Sequence, residues 1–404
     1  MAGAVDVPAD AMPASVHGAP GGPLRLGYVI DTLLTGGAER LVVTFAETVR
    51  ARRNVDLTVF VLDDSVTPFR ERLQASGIRI VTLPGRNLVD MRRFGRLVRA
   101  LRKYRIDYVH AHLATSTTLA AYAAFLLRIP FVTTIHNVKP SARRVRKGRQ
   151  FLHDMALRLP GTRVITVAKA VTEALKAEGF SRPCTVIPNA VSMTDRAGPD
   201  TRQQTRAELG LAPDAIAIVC VGAIIGQKAH EVLFDSFAKI HAAQENAVLL
   251  IVGDSRDADR KENLVAQADR LGITAAVKFL GMRRDIPHIL AASDIFVSSS
   301  DWEGAPVSLL EAMVNGLPPV MTDVGENAAV LDGTGAIIVP PRQPDALAEG
   351  VLTLAGNPGL RAEIAQAVMD RASGTFGAET WVDRLLAYYA ETGRRRDWMQ
   401  AATT

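Results

Sequence analysis

Short apolar runs alternate with amphipathic stretches along almost the entire chain, and this alternation constrains the fold more than any other feature. The first series of runs lies between residues 24 and 188 and reads LRLGYVI, VDLTVFVL, IRIVTL, DYVHAH, FVTTIH, RVITVA and CTVIP. A second series, between residues 215 and 340, reads AIAIVCVGAI, AVLLIVGDS, VKFLG, IFVSSS, PPVMTD and AIIVP. Such runs, separated by helical patterns, predict βα units on mostly parallel sheets.

Two domains are expected because 404 residues are too many for one ordinary core. We predict doubly wound, Rossmann-like α/β domains at residues 24–190 and 191–375, with a hinge in a stretch rich in Pro, Gly and Asp at 188–200. Residues 1–23 are predicted to be a disordered tail, and residues 376–404 a terminal amphipathic helix. Ligands of such folds bind beyond the carboxyl ends of the strands, so the loops at those ends are the place to search.

The composition is typical of a soluble globular protein, with 48% hydrophobic and 22% charged residues. No apolar run reaches the ~20 residues that cross a bilayer, and TLAAYAAFLL (118–127) is predicted to be a buried helix. The first 23 residues lack the basic start and apolar centre of a signal peptide. Two distant cysteines, Cys184 and Cys220, argue against a disulfide framework and favour the cytoplasm.

Charge is divided unevenly between the two halves of the chain. Residues 1–195 contain 28 Lys and Arg against 15 Asp and Glu, whereas the remainder contains 19 against 27. We therefore expect the first domain to meet an anionic partner, through MRRFGRLVRALRKYR (91–105) and KPSARRVRKGRQ (139–150). The functional interpretation is peripheral docking on an anionic membrane. The simpler alternative is a core-facing helix with an ordinary basic solvent face. Nucleic acid is not expected, because aromatic residues make up only 5% of the chain.

The stretch SSSDWEGAPVSLLEAMVNGLPPV (298–320) places one acid before a helix start and a second acid inside the helix. Pro306 suits the first helical turn, where its missing N–H costs nothing. The free backbone N–H groups of that turn, which form a predicted anion site for phosphate, belong to Val307, Ser308 and Leu309. Glu311, about one turn further in, is placed to accept hydrogen bonds from a diol such as ribose, and Glu303 from another hydroxyl. A favourable interaction with the helix dipole explains either acid alone. It does not explain both acids together with the Gly-Ala-Pro sequence that lies between them.

Other motifs exclude several kinds of site. Asp257 and Asp259 form a D-x-D triplet, but it lies in a highly charged segment and is rejected as a metal site. The scattered histidines show no zinc spacing, and GGAER (36–40) is not a dinucleotide-binding G-x-G-x-x-G. No metal and no cofactor are expected.

The stretch EGAPVSLLEAMVNGLPPV resembles the E-x7-E motif of retaining GT-B glycosyltransferases of the GT4 type, also called group 1. Further segments match that family in the same order and spacing: GGAER (36–40), TIHN (134–137), VIPNAV (186–191), VGAIIGQKAHEVLFDSFAKI (221–240), LLIVGD (249–254) and DVGENAAVL (323–331). The resemblance implies a GT-B architecture, in which two Rossmann-like domains face each other across a crevice. It also implies that the terminal helix crosses back to the first domain.

The resemblance implies a role for each site residue. Glu311 would hold the ribose of a nucleotide sugar, and Lys228 would neutralise its diphosphate with the helix N-terminus. Glu303 and His136 would contact the donor sugar near its reacting carbon, which makes Glu303, His136 and Lys228 the expected catalytic residues. The donor site is completed by residues whose backbone approaches the ligand, namely Gly36, Gly37, Gly304, Ala305, Pro306, Val307, Ser308 and Leu309. For Gly36 and Gly37 we expect freedom of φ and the missing side chain to permit that approach.

One departure from the family concerns the phosphates. Ala223 stands where the family usually has Arg after the glycine of VG, which removes a bidentate phosphate clamp. Arg283 or Arg284, in the loop after VKFLG, is the candidate replacement. The expected function is the transfer of a hexose from a nucleotide diphosphate sugar to a hydroxyl of a glycan acceptor, with retention at the anomeric carbon. The basic first domain favours an acceptor that is lipid-linked.

Three alternatives stay open at this stage. A sugar-nucleotide epimerase would use the same fold without an acceptor. A phosphorylase would need a lysine for pyridoxal phosphate, for which no motif supports a candidate. Ala223 also fits a catalytically weakened member that acts as a partner in a glycan assembly complex, although both acids of E-x7-E are retained.

Overall fold

A computed structural model describes residues 23–394 except residues 35, 53, 86–89, 138–146, 199 and 256. The first part of the chain forms a seven-stranded parallel sheet with the strand order β3-β2-β1-β4-β5-β6-β7. Its strands are β1 (Leu24–Ile30), β2 (Val55–Val61), β3 (Arg79–Thr82), β4 (Tyr108–His112), β5 (Phe131–Ile135), β6 (Thr162–Thr166) and β7 (Cys184–Val186). The helices between them are α1 (Gly37–Arg50), α2 (Pro68–Ala75), α3 (Met91–Lys103), α4 (Ala114–Leu127), α5 (Lys147–Arg158) and α6 (Lys169–Ala177).

The second part forms a six-stranded parallel sheet with the order β10-β9-β8-β11-β12-β13. Its strands are β8 (Ile216–Val221), β9 (Ala247–Val252), β10 (Val277–Gly281), β11 (Ile295–Ser298), β12 (Pro319–Thr322) and β13 (Ile337–Val339). Its helices are α7 (Thr201–Glu208), α8 (His230–Ala243), α9 (Ala258–Arg270), α10 (Ile286–Ala292), α11 (Val307–Val314), α12 (Asn327–Leu331), α13 (Pro344–Gly356) and α14 (Pro358–Thr375). The predicted fold class of two doubly wound parallel sheets is confirmed.

The strands are apolar because helices cover both faces of each sheet. Most positions of β1, β8 and β9 are buried, and most of their buried side chains belong to the two largest cores. The prediction of a buried helix at 118–127 is right for most of α4, but Phe125 and Leu126 at its end are 43% and 58% exposed. In the described part of the chain no helix has the length and apolar character that crossing a membrane requires.

The last helix, α15 (Ala378–Arg394), returns to the first sheet. Gly377, just before it, pairs with Val191 in an isolated parallel bridge. The apolar side of the helix belongs to the core around β1 and α1, and its members are Trp381, Val382, Leu385, Leu386 and Tyr389. The Tyr389 hydroxyl lies 2.8 Å from that of Tyr28, so the contact is polar as well as apolar.

The two domains touch through loops at the carboxyl ends of their strands. Asn189 Nδ2 donates to the Ala305 carbonyl at 2.6 Å, and the amide of Ala170 donates to Glu326 Oε1 at 3.1 Å. The second bond caps the first turn of α6, whose own N-cap residue, Ala168, supplies no side-chain bond. Loops from both sheets therefore meet in one crevice, which is where the candidate site lies.

Candidate active site

Glu303 follows β11 and lies in a ring of donors. Lys228 Nζ and Ser300 Oγ each donate to its Oε1 at 2.6 Å, and Gln227 Nε2 donates to Oε2 at 3.1 Å. The side chains of Glu303 and Lys228 are 6% and 15% exposed. The structure therefore joins two residues predicted separately, and adds Ser300 and Gln227, which the sequence reasoning missed. The signal for Ser300 was present in the polar run SSS at the strand end.

The loop that carries Lys228 is tied to the loop that carries Glu303. The Asp301 amide donates to the Gln227 carbonyl at 2.8 Å, and Ser299 Oγ lies 2.9 Å and 3.0 Å from the carbonyl oxygens of Lys228 and Ala229. Ala229 has φ 45°, a left-handed conformation between the short turn Gly226–Lys228 and α8. This conformation is unfavourable for a residue with a side chain, so the loop stores strain.

Gly304 lies where the backbones of the two domains approach each other closely. A β-carbon at Gly304 would overlap the carbonyl oxygen of His136, and one at Gly37 would lie 3.4 Å from Val307 Cγ2. Gly36 has φ −160°, an extended backbone open to any residue. The freedom of φ expected of Gly36 and Gly37 is therefore wrong for Gly36 and unneeded at Gly37, which lies inside α1. A β-carbon at Gly37 would make only an ordinary van der Waals contact with Val307, so the domain contact does not require a glycine there.

Helix α11 begins one residue later than the sequence indicated. Pro306 is the N-cap residue with φ −69° and ψ 123°, rather than a residue of the first turn. The Leu309 amide donates to the Pro306 carbonyl at 3.2 Å, so that donor is already used. The predicted anion site therefore reduces to the amides of Val307 and Ser308. The Val307 side chain is 8% exposed and packs into the core of the first domain.

Glu311 lies in a buried cluster of charges that spans both domains. Arg40 Nη2 lies 2.9 Å from Asp195 Oδ2, and Arg40 Nε lies 3.3 Å from Glu311 Oε1 without the alignment of a hydrogen bond. Burial raises the pKa of Glu311 to about 7, against the opposing effect of Arg40, while Asp195 raises it further and Arg72 lowers it. The sequence reasoning missed Arg40 and Asp195, although Arg40 stands in the quoted GGAER.

His136 follows β5 and is half-buried at the crevice. Its Nε2 lies 3.0 Å from Nδ1 of the buried His112, and the two rings are stacked. Burial lowers the pKa of His136 to about 4, so its imidazole is neutral near pH 7. Asn137, the next residue, donates from Nδ2 to Gln227 Oε1 at 3.2 Å, which links this segment to the Lys228 loop.

The two arginines offered as replacements for a phosphate clamp have other partners. Arg283 donates to both carboxylate oxygens of Asp285, at 2.8 Å and 2.6 Å. Arg284 is 72% exposed and lies 3.5 Å from Glu71 of the first domain. Ala223 is exposed. Contact of either arginine with phosphate stays a prediction, and Arg283 would have to leave Asp285 to make it.

Two Rossmann-like domains that meet at one crevice define the class of the fold, and comparison with known proteins identifies the family. Residues 35–195 match the model described as Glycosyltransferase Family 4, and residues 215–357 match the model described as Glycosyl transferases group 1. The UDP-Gal:alpha-D-GlcNAc-diphosphoundecaprenol alpha-1,3-galactosyltransferase of Escherichia coli is 31% identical over 278 residues, which cover 66% of this chain and 68% of that protein. The chain belongs to the group 1 glycosyltransferases.

Two further similarities extend the comparison. The D-inositol 3-phosphate glycosyltransferase of Actinosynnema mirum is 28% identical over 72% of this chain and 73% of its own length. The crystal structure of Anabaena HepE in complex with UDP-glucose superposes with a TM-score of 0.80, covers 91% of this chain and 99% of its own, and is 23% identical. The similarity to HepE confirms the GT-B fold.

The raised pKa of Glu311 predicts a stability that depends on pH. A folded pKa of about 7 exceeds the ordinary value of 4.5, so the folded state holds an extra proton and loses stability as pH rises from about 5 to 8. Glu311→Gln cannot titrate and should therefore gain stability relative to the wild type over that window. We expect a relative gain of roughly 1–3 kcal/mol, measured by urea unfolding at several pH values.

Glu363→Gln provides the control, because Glu363 is exposed on α14 and far along the chain from the cluster. Its stability should follow that of the wild type at every pH. A Glu311→Gln variant that also runs parallel to the wild type would show that Glu311 is ionised throughout and would contradict the assignment.

The left-handed Ala229 predicts that a glycine there costs little stability. Ala229→Gly removes a conformational cost of roughly 1–2 kcal/mol, which offsets the greater freedom of the unfolded chain and the loss of one buried methyl group. Thermal unfolding should therefore show a Tm close to that of the wild type. Ala268→Gly removes a buried methyl group at a helical position of α9 and should lower stability by roughly 1–2 kcal/mol. Equal losses in both variants would mean that Ala229 carries no strain.

Proposed function

We propose that the protein transfers a hexose from a nucleotide diphosphate sugar to a hydroxyl of a lipid-linked glycan, with retention at the anomeric carbon. The observation that carries the proposal is the convergence of Glu303, Lys228 and His136 where the two domains touch at Gly304. The proposed reaction uses neither a metal ion nor an organic cofactor. The protein contributes by positioning the reactants and by stabilising charge, which suffices for glycosyl transfer in a preorganised site.

Lys228 is the proposed anchor of the leaving diphosphate. Its ammonium is 15% exposed and bound to Glu303, so a diphosphate arriving in the crevice would compete with a single carboxylate for it. The amides of Val307 and Ser308 at the start of α11 would share the charge. This arrangement supports departure of the nucleoside diphosphate, because the negative charge that grows on its oxygens meets donors already in place.

Glu311 is the proposed ligand of the ribose. It lies in the second turn of α11, behind the helix start that would face the diphosphate, and it is held near Arg40 of the other domain. A carboxylate accepts hydrogen bonds from both hydroxyls of a diol, whereas the protonated acid accepts fewer. Arg40 therefore favours the form of Glu311 that ribose requires, and it does so only when the domains are together.

Glu303 and His136 are proposed to orient the sugar. A neutral His136 can donate one hydrogen bond and accept another, and Glu303 is held in a single orientation by its donors. Retention fits a reaction on one face of the sugar. The bond from the anomeric carbon to phosphate breaks, a bond to the acceptor oxygen forms, and the acceptor proton passes to the departing phosphate oxygen. Domain contact excludes water from this step.

A UDP-hexose is the first donor class to test. The Escherichia coli relative is named for UDP-Gal and an undecaprenol-linked acceptor, and HepE was crystallised with UDP-glucose. These names support the choice of probes for this chain. A second candidate function, a weakened family member that acts as a partner in a glycan assembly complex, is favoured by one observation only, the exposed Ala223 without a guanidinium in its place.

The donor site predicts selective stabilisation by nucleotides. Thermal unfolding against UDP, GDP, ADP and their hexose conjugates should show a raised Tm for one base, since a ligand at ~100 times its Kd adds about 2.7 kcal/mol. Lys228→Met should abolish the shift, because the diphosphate loses its cation. Glu303→Gln should keep the shift for the nucleoside diphosphate and reduce transfer from the sugar conjugate by a factor of roughly 100 or more.

Lys239→Met serves as the matched control in the same domain, because Lys239 on α8 is an exposed cation that pairs with Asp345. Its nucleotide shift should equal that of the wild type. If no nucleotide shifts the wild type, the second candidate function is favoured. If Lys228→Met and Glu303→Gln both turn over normally, the assignment of the site is wrong.

Cytoplasmic docking of the first domain on an anionic membrane is proposed as the way to a lipid-linked acceptor. Helix α3 buries Leu97, Val98 and Leu101 and exposes Arg99 and Arg102. Exposed apolar side chains accompany the basic ones in this domain, Met91 at 72% and Phe151 at 64%. Much of the second basic segment, 139–150, lies outside the described residues. Basic and apolar groups together are typical of peripheral membrane surfaces.

Vesicle binding tests this surface. The double variant Arg99→Gln with Arg102→Gln should bind vesicles containing phosphatidylglycerol at least tenfold more weakly than the wild type, since each cation contributes about 1 kcal/mol. Arg196→Gln with Arg270→Gln removes two exposed arginines elsewhere and should bind like the wild type. Equal binding by all three proteins, or none to anionic vesicles, would contradict this surface.

A further inference from the structure

Three imidazole rings form a stack beneath the crevice at the ends of β4 and β5. His110 and His112 are stacked with ring centroids 4.4 Å apart, and His112 and His136 with centroids 5.3 Å apart. His110 and His112 are 0% and 1% exposed. Of these three rings only His136 reaches the crevice. His110 and His112 can therefore affect the site only through the position and protonation of His136.

The innermost ring is held by hydroxyl groups. His110 Nδ1 lies 2.6 Å from the Tyr389 hydroxyl, and His110 Nε2 lies 2.7 Å from Thr134 Oγ1. Both ring nitrogens of His110 are therefore satisfied, and helix α15 supplies one of the partners. His110 touches His112 by stacking alone, which leaves the ring nitrogens of His112 to the contact with His136.

The contact between His112 and His136 needs one donor and one acceptor. Burial lowers the pKa of both rings, so each is neutral and carries a single N–H. The bond joins Nδ1 of His112 to Nε2 of His136 at 3.0 Å. Either His112 donates and His136 keeps its own proton on Nδ1, or His136 donates and its Nδ1 has a bare lone pair.

The other nitrogen of His112 decides between these two arrangements. His112 Nε2 is buried and has no hydrogen-bond partner within the described residues. If His136 were the donor, the only N–H of His112 would be this unpartnered Nε2–H. If His112 is the donor, its N–H is used and only a lone pair is left unpaired. Orphaned buried N–H groups are rarer in proteins than under-used acceptors, so the arrangement in which His112 donates is favoured.

We propose that His112 is a positioning residue that donates from Nδ1–H to Nε2 of His136 and thereby holds the proton of His136 on Nδ1. Within the described residues the His136 side chain makes its hydrogen bond through Nε2, so Nδ1 is the nitrogen left for a ligand. His136 then presents a donor, suited to a sugar hydroxyl or a phosphate oxygen. The choice of ligand rests on the proposed function, whereas the position of the proton does not.

Two substitutions of nearly equal shape test the role of His112. The amide nitrogen of asparagine takes the place of Nδ1 and can still donate, so His112→Asn should leave the proton of His136 on Nδ1. His112→Leu has a similar volume and no donor, so it frees Nε2 of His136 to take the proton. Tyr389→Phe is the control, because it removes a partner of His110 and leaves the contact between His112 and His136 intact.

The measurement is the 15N spectrum of the imidazole nitrogens in protein labelled at histidine, near pH 7.5. Protonated and bare nitrogens of a neutral ring have well-separated shifts, and each signal is assigned by its loss in a single-residue variant. We expect Nδ1–H and bare Nε2 for His136 in the wild type, His112→Asn and Tyr389→Phe. In His112→Leu we expect Nε2–H or a mixture of both tautomers.

A wild-type His136 that carries its proton on Nε2 would overturn the proposal, and this result needs no variant to fold. An unchanged His136 spectrum in a folded His112→Leu variant would overturn it too. Binding and consumption of the hexose conjugates of UDP, GDP and ADP are followed in the same samples. If the wild type shows the expected tautomer but neither binds nor consumes these donors, the proposed function fails while the positioning role of His112 stands.

Discussion

The approach of the Gly304 backbone to the carbonyl oxygen of His136 is the contact on which the site depends. It brings the loop after β11 against the loop after β5, and a β-carbon at Gly304 would prevent it. Asn189 and Glu326 add hydrogen bonds across the same interface. Since every proposed catalytic group lies within this contact or beside it, small residues in the loops matter as much as the charged ones.

The two acids of the E-x7-E stretch differ because their surroundings differ. Glu303 receives hydrogen bonds from Lys228, Ser300 and Gln227, which satisfy its charge in place of water. Glu311 is buried beside Arg40, which it contacts at 3.3 Å without an aligned hydrogen bond, and its pKa rises to about 7. One sequence motif thus produces two different carboxyl groups: Glu303, which is firmly held by hydrogen bonds, and Glu311, whose ionisation depends on the opposite domain.

Prediction from sequence succeeded for the features that depend on the local sequence pattern. The apolar runs predicted the strands to within a few residues, and the loops after those strands carry Glu303, Lys228 and His136, whose catalytic roles stay a prediction. Prediction failed where a partner comes from elsewhere in the chain. Arg40 lies 271 positions before Glu311, and Asp195 meets Arg40 only in the fold. For Gly36, the family motif suggested a conformational freedom that the backbone does not use.

The sequence by itself determined two parallel α/β sheets, the loops at which function is to be sought, and membership of a family of sugar-transferring enzymes. These properties depend on apolar periodicity and on the order of short motifs, which a linear chain displays directly. Tertiary structure alone decided that Lys228 pairs with Glu303, that Arg40 reaches Glu311 across the crevice, and that His112 lies behind His136. The physical reason is that burial and pairing of charge depend on distance in space, which separation along the chain does not specify.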